Sequence, residues 1–318
     1  MNLFSKIMIA SFAIITFSCD KENDTNASSK TPTAAITTAT PKKFLFDATK
    51  AETAGNADWV LDADSSPQRF PTPVQSNVTA TTTESFWRGG LSAWGIALAK
   101  LGHSVETLPS GTAITYGGTG TQDLKNYDVF VVDEPNIRFT AAEKTAILNF
   151  VKNGGGLFMI SDHTVSDRNN DGWDSPAIWN DLMSTNTAQT NPFGIKITLN
   201  NFSETTSNRL SATTNPILNG SQGIVTNLKY SAGASMSINR TANATAQGLI
   251  WRGSSSQGTS NIMCATATFG TGRVVAIGDS SPADDGTGAT GDTLYPGWTE
   301  LTSHSRLHLN ASLWLAKL

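Results

Sequence analysis

The chain has 318 residues, 22 Lys and Arg against 26 Asp and Glu, and a formal net charge of -4. No basic stripe runs along it, which argues against electrostatic binding of nucleic acid. Its two cysteines, Cys19 and Cys264, leave no disulfide framework if the first is modified.

The N-terminus reads as an address. After Lys6 comes IMIASFAIITFS, too short to span a bilayer, then Cys19. A basic start, a short apolar core and a small residue before the cleavage point describe an export signal over residues 1–18. Cysteine directly after that point resembles a bacterial lipoprotein signal of the Bacteroidetes type. The resemblance implies palmitate-type acylation of Cys19, export to the outer membrane and display at the cell surface. A lipid, not a helix, is then the membrane contact. Residues 19–41 are polar and small, and read as a tether.

From residue 42 to 318 the pattern is that of a folded domain. FLFDAT predicts a strand ending at Asp47, followed by a polar excursion that holds Glu52 and Asp58. LSAWGIALAKLG shows helical spacing and stops at Gly102. HSVETLP and DLKNYDVFVVDEP read as strands, and Thr140 caps a helix over AAEKTAILNFVKN that halts at a triple glycine. LFMISDHT and, much later, VVAIGDSS complete the set of apolar runs that break off on an aspartate. Short continuous Val, Ile, Leu and Phe runs suit strands buried on both faces of a parallel sheet. The helix–strand alternation predicts a doubly wound, mostly parallel α/β sheet. Residues of about 190–262 are rich in Thr, Ser, Asn and Gly and predict an added β-rich segment. The chain closes on a helix with Leu307, Ala311, Trp314, Leu315 and Leu318 on one face, which is expected to pack on the sheet.

The segments YDVFVVDEP, AILNFVKNGGGLFMISDH, NPILNG and GTGRVVAIGDS resemble the class I glutamine-amidotransferase-like superfamily, in its trehalose-utilisation-type branch. The resemblance implies a flavodoxin-like sheet. It does not carry the activity over: Asp162-His163-Thr164 stands where that family places its nucleophilic cysteine, and Cys264 lies elsewhere.

In open α/β sheets, ligands sit outside the carboxyl ends of the strands. The catalytic candidates are therefore Asp162, His163, Asp279 and His304, with Asp47, Glu52, Glu134 and Arg306 as substrate-binding candidates. The competing reading is that each Asp caps the next turn or helix. DRNNDGWD offers Asp167, Asn169, Asp171, the Trp173 carbonyl and Asp174 as oxygen ligands for calcium. An Asx-bonded turn explains the same residues. Mixed carboxylate and imidazole groups also suit a second divalent metal, zinc or manganese. Trp59, Trp87, Trp173, Trp179 and Trp298 fall in or beside loops, where aromatic faces stack on sugars. His103 and His308 read as structural, the latter on the flank of the last helix. By analogy with surface lipoproteins, the expectation is a hydrolase acting on an extracellular glycan or glycan ester. A glycan- or partner-binding protein without turnover is the alternative.

Overall fold

The four apolar runs and the HSVETLP segment lie side by side as parallel strands. The computed structural model describes residues 40–50, 59–63 and 75–318, so the expected signal segment, Cys19, Glu52 and Asp58 lie outside the described residues. The first half runs β1 (Lys43–Asp47), α1 (Ser92–Lys100), β2 (Ser104–Leu108), β3 (Val129–Asp133), α2 (Ala141–Lys152), β4 (Gly156–Ile160) and α3 (Ser175–Ser184). The β-rich segment follows as β5 (Ile195–Ile197), β6 (Phe202–Thr206), β7 (Asn219–Gly220), β8 (Gly223–Ile224), β9 (Leu228–Gly233), β10 (Met236–Ile238) and β11 (Gln247–Trp251). A hairpin of β12 (Ile262–Phe269) and β13 (Gly272–Ile277) then leads to α4 (Gly297–Glu300) and α5 (Thr302–Leu315).

The main sheet has the order β2-β1-β3-β4-β13-β12-β10-β5, with β11 added against β12. The pairs from β2 to β13 are parallel. Those beyond β13 are antiparallel. The parallel half follows the flavodoxin-like strand order, and part of the β-rich segment extends the same sheet instead of standing apart.

Both sheet faces are covered, as the uninterrupted apolar runs require. Phe44, Phe46, Val129, Val131, Phe158, Ile160, Val275 and Ile277 pack with α1 and α5. Leu45, Phe130, Val132, Leu157, Met159, Val274 and Ala276 pack with α2 and α3. Gly156 lets α5 approach β4, because a Cβ there would come within 2.7 Å of Leu315.

Local signals account for the helix boundaries. Thr140 and Glu143 form the capping box of α2, each side chain accepting from the other's backbone N–H. The sequence reading did not contain α3, because Asp174 was taken as a ligand. Its carboxylate instead accepts from Ala177 N at 2.9 Å, with Pro176 in the first turn, so it is an N-cap. His308 is also corrected. It is fully buried between Trp94, Phe158 and Trp298, with ring centroids 4.8, 5.5 and 5.9 Å away. Burial pushes its pKa down to about 3, which keeps the ring neutral. Among the described residues, no helix is long and apolar enough to cross a membrane.

Candidate functional site at the carboxyl ends of β3, β4 and β13

Register decides which carboxylates meet. Asp133 pairs with Ile160, and Ile160 with Ile277, so the three strands end level with one another. Asp162 and Asp279 follow those isoleucines, and Glu134 follows Asp133. Glu134 takes a left-handed backbone (φ 43) as the chain leaves β3. That conformation is uncommon for a non-glycine residue and is concentrated at functional sites. Above these ends lies a cavity of about 190 Å³, lined by Trp59, Glu134, Asp162, His163, Arg168, Ser280 and four or more polar or small neighbours, Tyr295 among them.

Glu134 is held from several sides. Its Oε2 accepts from Trp59 Nε1 at 3.0 Å and from Ser280 Oγ at 2.8 Å. Arg168 Nη2 lies 3.4 Å from Glu134 Oε1 and 3.4 Å from Asp162 Oδ2, so one guanidinium spans both carboxyl groups. Arg168 comes from the DRNNDG loop, and Asn136 fixes that loop. Asn136 Oδ1 accepts from Arg168 N at 2.8 Å, and its carbonyl accepts from Asn169 Nδ2 at 2.7 Å.

Asp162 is almost wholly buried. Burial, then the Glu134 charge and hydrogen bond, and then Asp279 hold its pKa well above the usual carboxylate range. Asp279 is fully buried, and burial pushes it up to about 7. It accepts from Ser281 N at 2.9 Å and from Ser231 N, both from cavity-lining residues. Asp133 is 1% exposed and neither carboxyl oxygen has a hydrogen-bond partner among the described residues. Burial, with Glu134, Asp279 and Asp284 nearby, raises its pKa well above the usual range.

His163 faces Asp162, with Nε2 3.7 Å from Oδ2. Its Nδ1 lies 2.5 Å from the Thr164 carbonyl, which can only accept, so Nδ1 carries the hydrogen. Nε2 is the ring nitrogen turned toward the acid. An N–H at Nδ1 cannot accept from Asn201, 3.0 Å away, so the Asn201 amide belongs with its oxygen toward the ring.

The cavity thus brings together Asp162, His163 and Glu134, with Asp279 bonded to its wall. It does not bring in His304, Asp47 or Arg306. His304 is 1% exposed, accepts at Nε2 from Lys229 N at 3.0 Å and meets the Gly297 carbonyl through Nδ1 at 2.7 Å. Both nitrogens are spent joining α5 to β9 and α4, and burial lowers its pKa. Asp47 is a turn cap: it accepts from Thr49 N and Oγ1 and from Lys50 N, and burial raises it to about 6. Arg306 donates to the Ile224 carbonyl at 3.1 Å, away from the cavity. Among the tryptophans, Trp87, Trp179 and Trp298 are core residues, and Trp173 lies under the Arg138 guanidinium at 3.7 Å. Trp59 alone of the five lines the cavity.

Of the five loop tryptophans, Trp59 is the one that reaches the site, whereas nothing in the sequence marks Arg168 or Ser280 for it.

In that loop, Asp167 accepts from Asp171 N and Gly172 N, Asn169 Oδ1 from Asp171 N, and Asp171 Oδ1 from Trp173 N. Asp174 is fully engaged: besides capping α3 it accepts from Thr164 Oγ1 at 3.0 Å and Val165 N at 2.8 Å. Among the described residues, no group of three or more His, Cys, Asp or Glu is placed to hold a metal ion. Cys264 is buried in β12, and burial pushes its thiol up to about 12, far from a reactive thiolate.

No family model and no curated protein matches the sequence. Solved structures do. The mmIFT52 N-terminal domain is similar at 15% identity and TM-score 0.50, over 86% of this chain and 97% of that one. Cytoplasmic protein STM3548 from Salmonella typhimurium is similar at 12% identity and TM-score 0.49, over 86% and 98%. A ThuA-like protein from Bacteroides uniformis is similar at 13% identity and TM-score 0.46, over 86% and 91%. At such identities the likeness concerns the fold alone: a mostly parallel central sheet, helices on both sides and extra antiparallel strands.

Proposed function

We propose that this protein is an exported, lipid-anchored hydrolase that cleaves an acyl ester on an extracellular glycan, with His163 as general base and Asp162 as general acid. One observation carries the reading: an almost wholly buried carboxyl and an imidazole nitrogen stand 3.7 Å apart in a solvent-accessible cavity. Water gives a proton to His163 Nε2 while its oxygen adds to the ester carbonyl carbon. The carbon–alkoxide bond then breaks, and the departing oxygen takes the Asp162 proton. Transfer of the proton from His163 to Asp162 resets the site, leaving one acid and one alcohol. Arg168 is the cation beside the developing oxyanion charge.

The spacing favours an ester over a glycosidic bond. Glycosidases set their two carboxyl groups roughly 5–9.5 Å apart, on opposite sides of the sugar. Here Asp162 and Glu134 share one guanidinium nitrogen, and acid and base touch the same spot, which suits two proton transfers at one carbon. Glu134 orients the cluster and sustains the protonated state of Asp162.

The amidotransferase-like ancestry and the Cys19 anchor belong to the same proposal. Loss of labelled palmitate in C19S tests the anchor. Calcium on Asp167, Asn169 and Asp171 is a further part, since each carboxylate oxygen keeps a second lone pair after its loop bond. Asp174 is left out of that ligand set, and no step runs through a second metal.

Acylated polysaccharides, aryl esters and aryl glycosides assayed with wild type, H163A and D162N test the reading. Ester turnover abolished in both variants supports it. Turnover of glycosides alone overturns it. A binding role without turnover has one observation in its favour: Glu134 is already hydrogen-bonded by Trp59 and Ser280 and paired with Arg168, as a structural carboxylate would be. Tight glycan binding with no hydrolysis by wild type would select it.

A further inference from the structure

Nine large apolar side chains are exposed among the described residues, and five of them stand close in the chain to the mouth of the cavity. Leu294 (41% exposed) and Tyr295 (46%) come from one side, where Thr293 and Tyr295 line the wall. Val165 (82%) follows His163 by two residues, and Leu199 (62%) precedes Asn200, whose carbonyl accepts from Thr164 N at 3.1 Å. Ile137 (44%) adjoins Asn136, which holds the Arg168 backbone. Phe86, Leu101, Ile224 and Leu318 belong to other parts of the chain.

Single exposed apolar residues are ordinary, but a concentration around a ligand cavity is not. Val165 is the clearest case. It is β-branched with φ 66, a conformation such residues strongly disfavour, and Asp174 fixes it there by accepting from its N–H. The turn keeps the isopropyl group in solvent, two residues along the chain from His163. The cavity itself is polar and, at about 190 Å³, smaller than the roughly 300 Å³ at which pockets for whole ligands begin. It has room for a reacting group, and the rest of the substrate must lie on its surroundings.

Resting on the ester-hydrolase reading, we propose that the substrate's acyl part is an apolar chain of several carbons. It lies across a collar of Val165, Leu199, Leu294 and Tyr295 while the ester enters the polar cavity. The collar sets chain-length preference and takes no part in the proton transfers. A short polar acyl group such as acetyl leaves it uncovered, and a hydrocarbon chain covers it.

A series of p-nitrophenyl esters from acetyl to octanoyl, with wild type and the V165S/L199S double variant, tests the proposal. In wild type, kcat/KM is expected to climb roughly twofold per methylene, about half the effect of full burial. In V165S/L199S the climb flattens while acetyl ester turnover stays at the wild-type value. A flat wild-type series, or a climb untouched by the double variant, overturns the collar. Loss of turnover for every ester, acetyl included, overturns the hydrolase reading instead. The collar is then read by calorimetry with octyl and methyl glucoside, where equal affinities sink it and tighter octyl binding lost in V165S/L199S sustains it. Cosedimentation of the C19S chain with phosphatidylethanolamine–phosphatidylglycerol vesicles, lost in V165S/L199S, would make the collar a membrane-docking surface and overturn the substrate assignment.

Discussion

His163 Nε2 and Asp162 Oδ2 face each other at 3.7 Å, slightly beyond hydrogen-bond length. That arrangement is poised for exchange through a bound water or substrate oxygen. Removing either partner, as H163A or D162N, is expected to lower kcat by roughly 10²–10⁴. D162N keeps the shape of the neutral acid, so its melting temperature should stay near wild type. Rates on an ester substrate, together with circular dichroism melts, check both statements. A D162N enzyme with full activity would remove Asp162 from the chemistry.

The buried acidic residues give stability a definite slope with pH. Asp47 is raised to about 6, and Asp279 and Asp284 to about 7, from an ordinary 3.8. A folded state with raised carboxyl pKa values holds protons that the unfolded chain has already released. These groups therefore favour the fold below about pH 4 and lose that contribution as pH rises through 6 and 7. Each contributes at most about 1.4 kcal/mol per pH unit. Melts between about pH 4.5 and pH 8 should show stability falling with pH. D133N should match wild type in acid and become relatively more stable toward pH 8, because Asp133 has no hydrogen bond to lose. A D133N protein less stable at pH 8 would show that the charged form is the one favoured by the fold.

Two amides close the two ends of the main sheet. Gln75 donates to the Val105 carbonyl at 2.9 Å and accepts from Val105 N at 3.0 Å, on edge strand β2. Asn180 does the same for Ile197 on edge strand β5, at 2.8 and 2.9 Å. Each side chain imitates a neighbouring strand and occupies ladder groups that would otherwise accept another chain. N180A is expected to cost about 1–3 kcal/mol through unsatisfied backbone groups and to promote concentration-dependent association. Denaturant melts and light scattering across a dilution series measure the two effects. A monodisperse N180A protein of wild-type stability would refute the role.

Calcium should raise the melting temperature, and chelation should lower it, through Asp167, Asn169 and Asp171. D171N is expected to erase the response while D174N shifts the melt with calcium present or absent, because Asp174 holds Ala177, Thr164 and Val165. Scanning fluorimetry with calcium, magnesium and chelator distinguishes these. An identical wild-type melt in calcium and chelator leaves the loop a hydrogen-bonded turn.

The strands were readable because sheet burial on both faces leaves an unbroken apolar run, which any one of FLF, VFVV, LFMI or VVAI displays. α2 was readable for a local reason too, since Thr140 and Glu143 announce its start. α3 was missed because Asp174 fits a metal loop and an N-cap equally well in sequence; only the Ala177 amide distinguishes them. His304 looked inward by helical spacing, and it is inward. What spacing cannot say is that Lys229 and Gly297 already occupy both ring nitrogens.

The sequence by itself determined the parallel strands, their acidic ends and the order in which helices separate them, because burial pattern and capping act over a few neighbouring residues. Tertiary structure alone decided which acidic ends meet. Level registers across β3, β4 and β13 set Glu134, Asp162 and Asp279 together, while Asp47 at the end of β1 closes its own turn. Arg168 and Trp59 reach the same point from separate loops, and electrostatics and hydrogen bonding across such distances in the chain exist only once the sheet has formed.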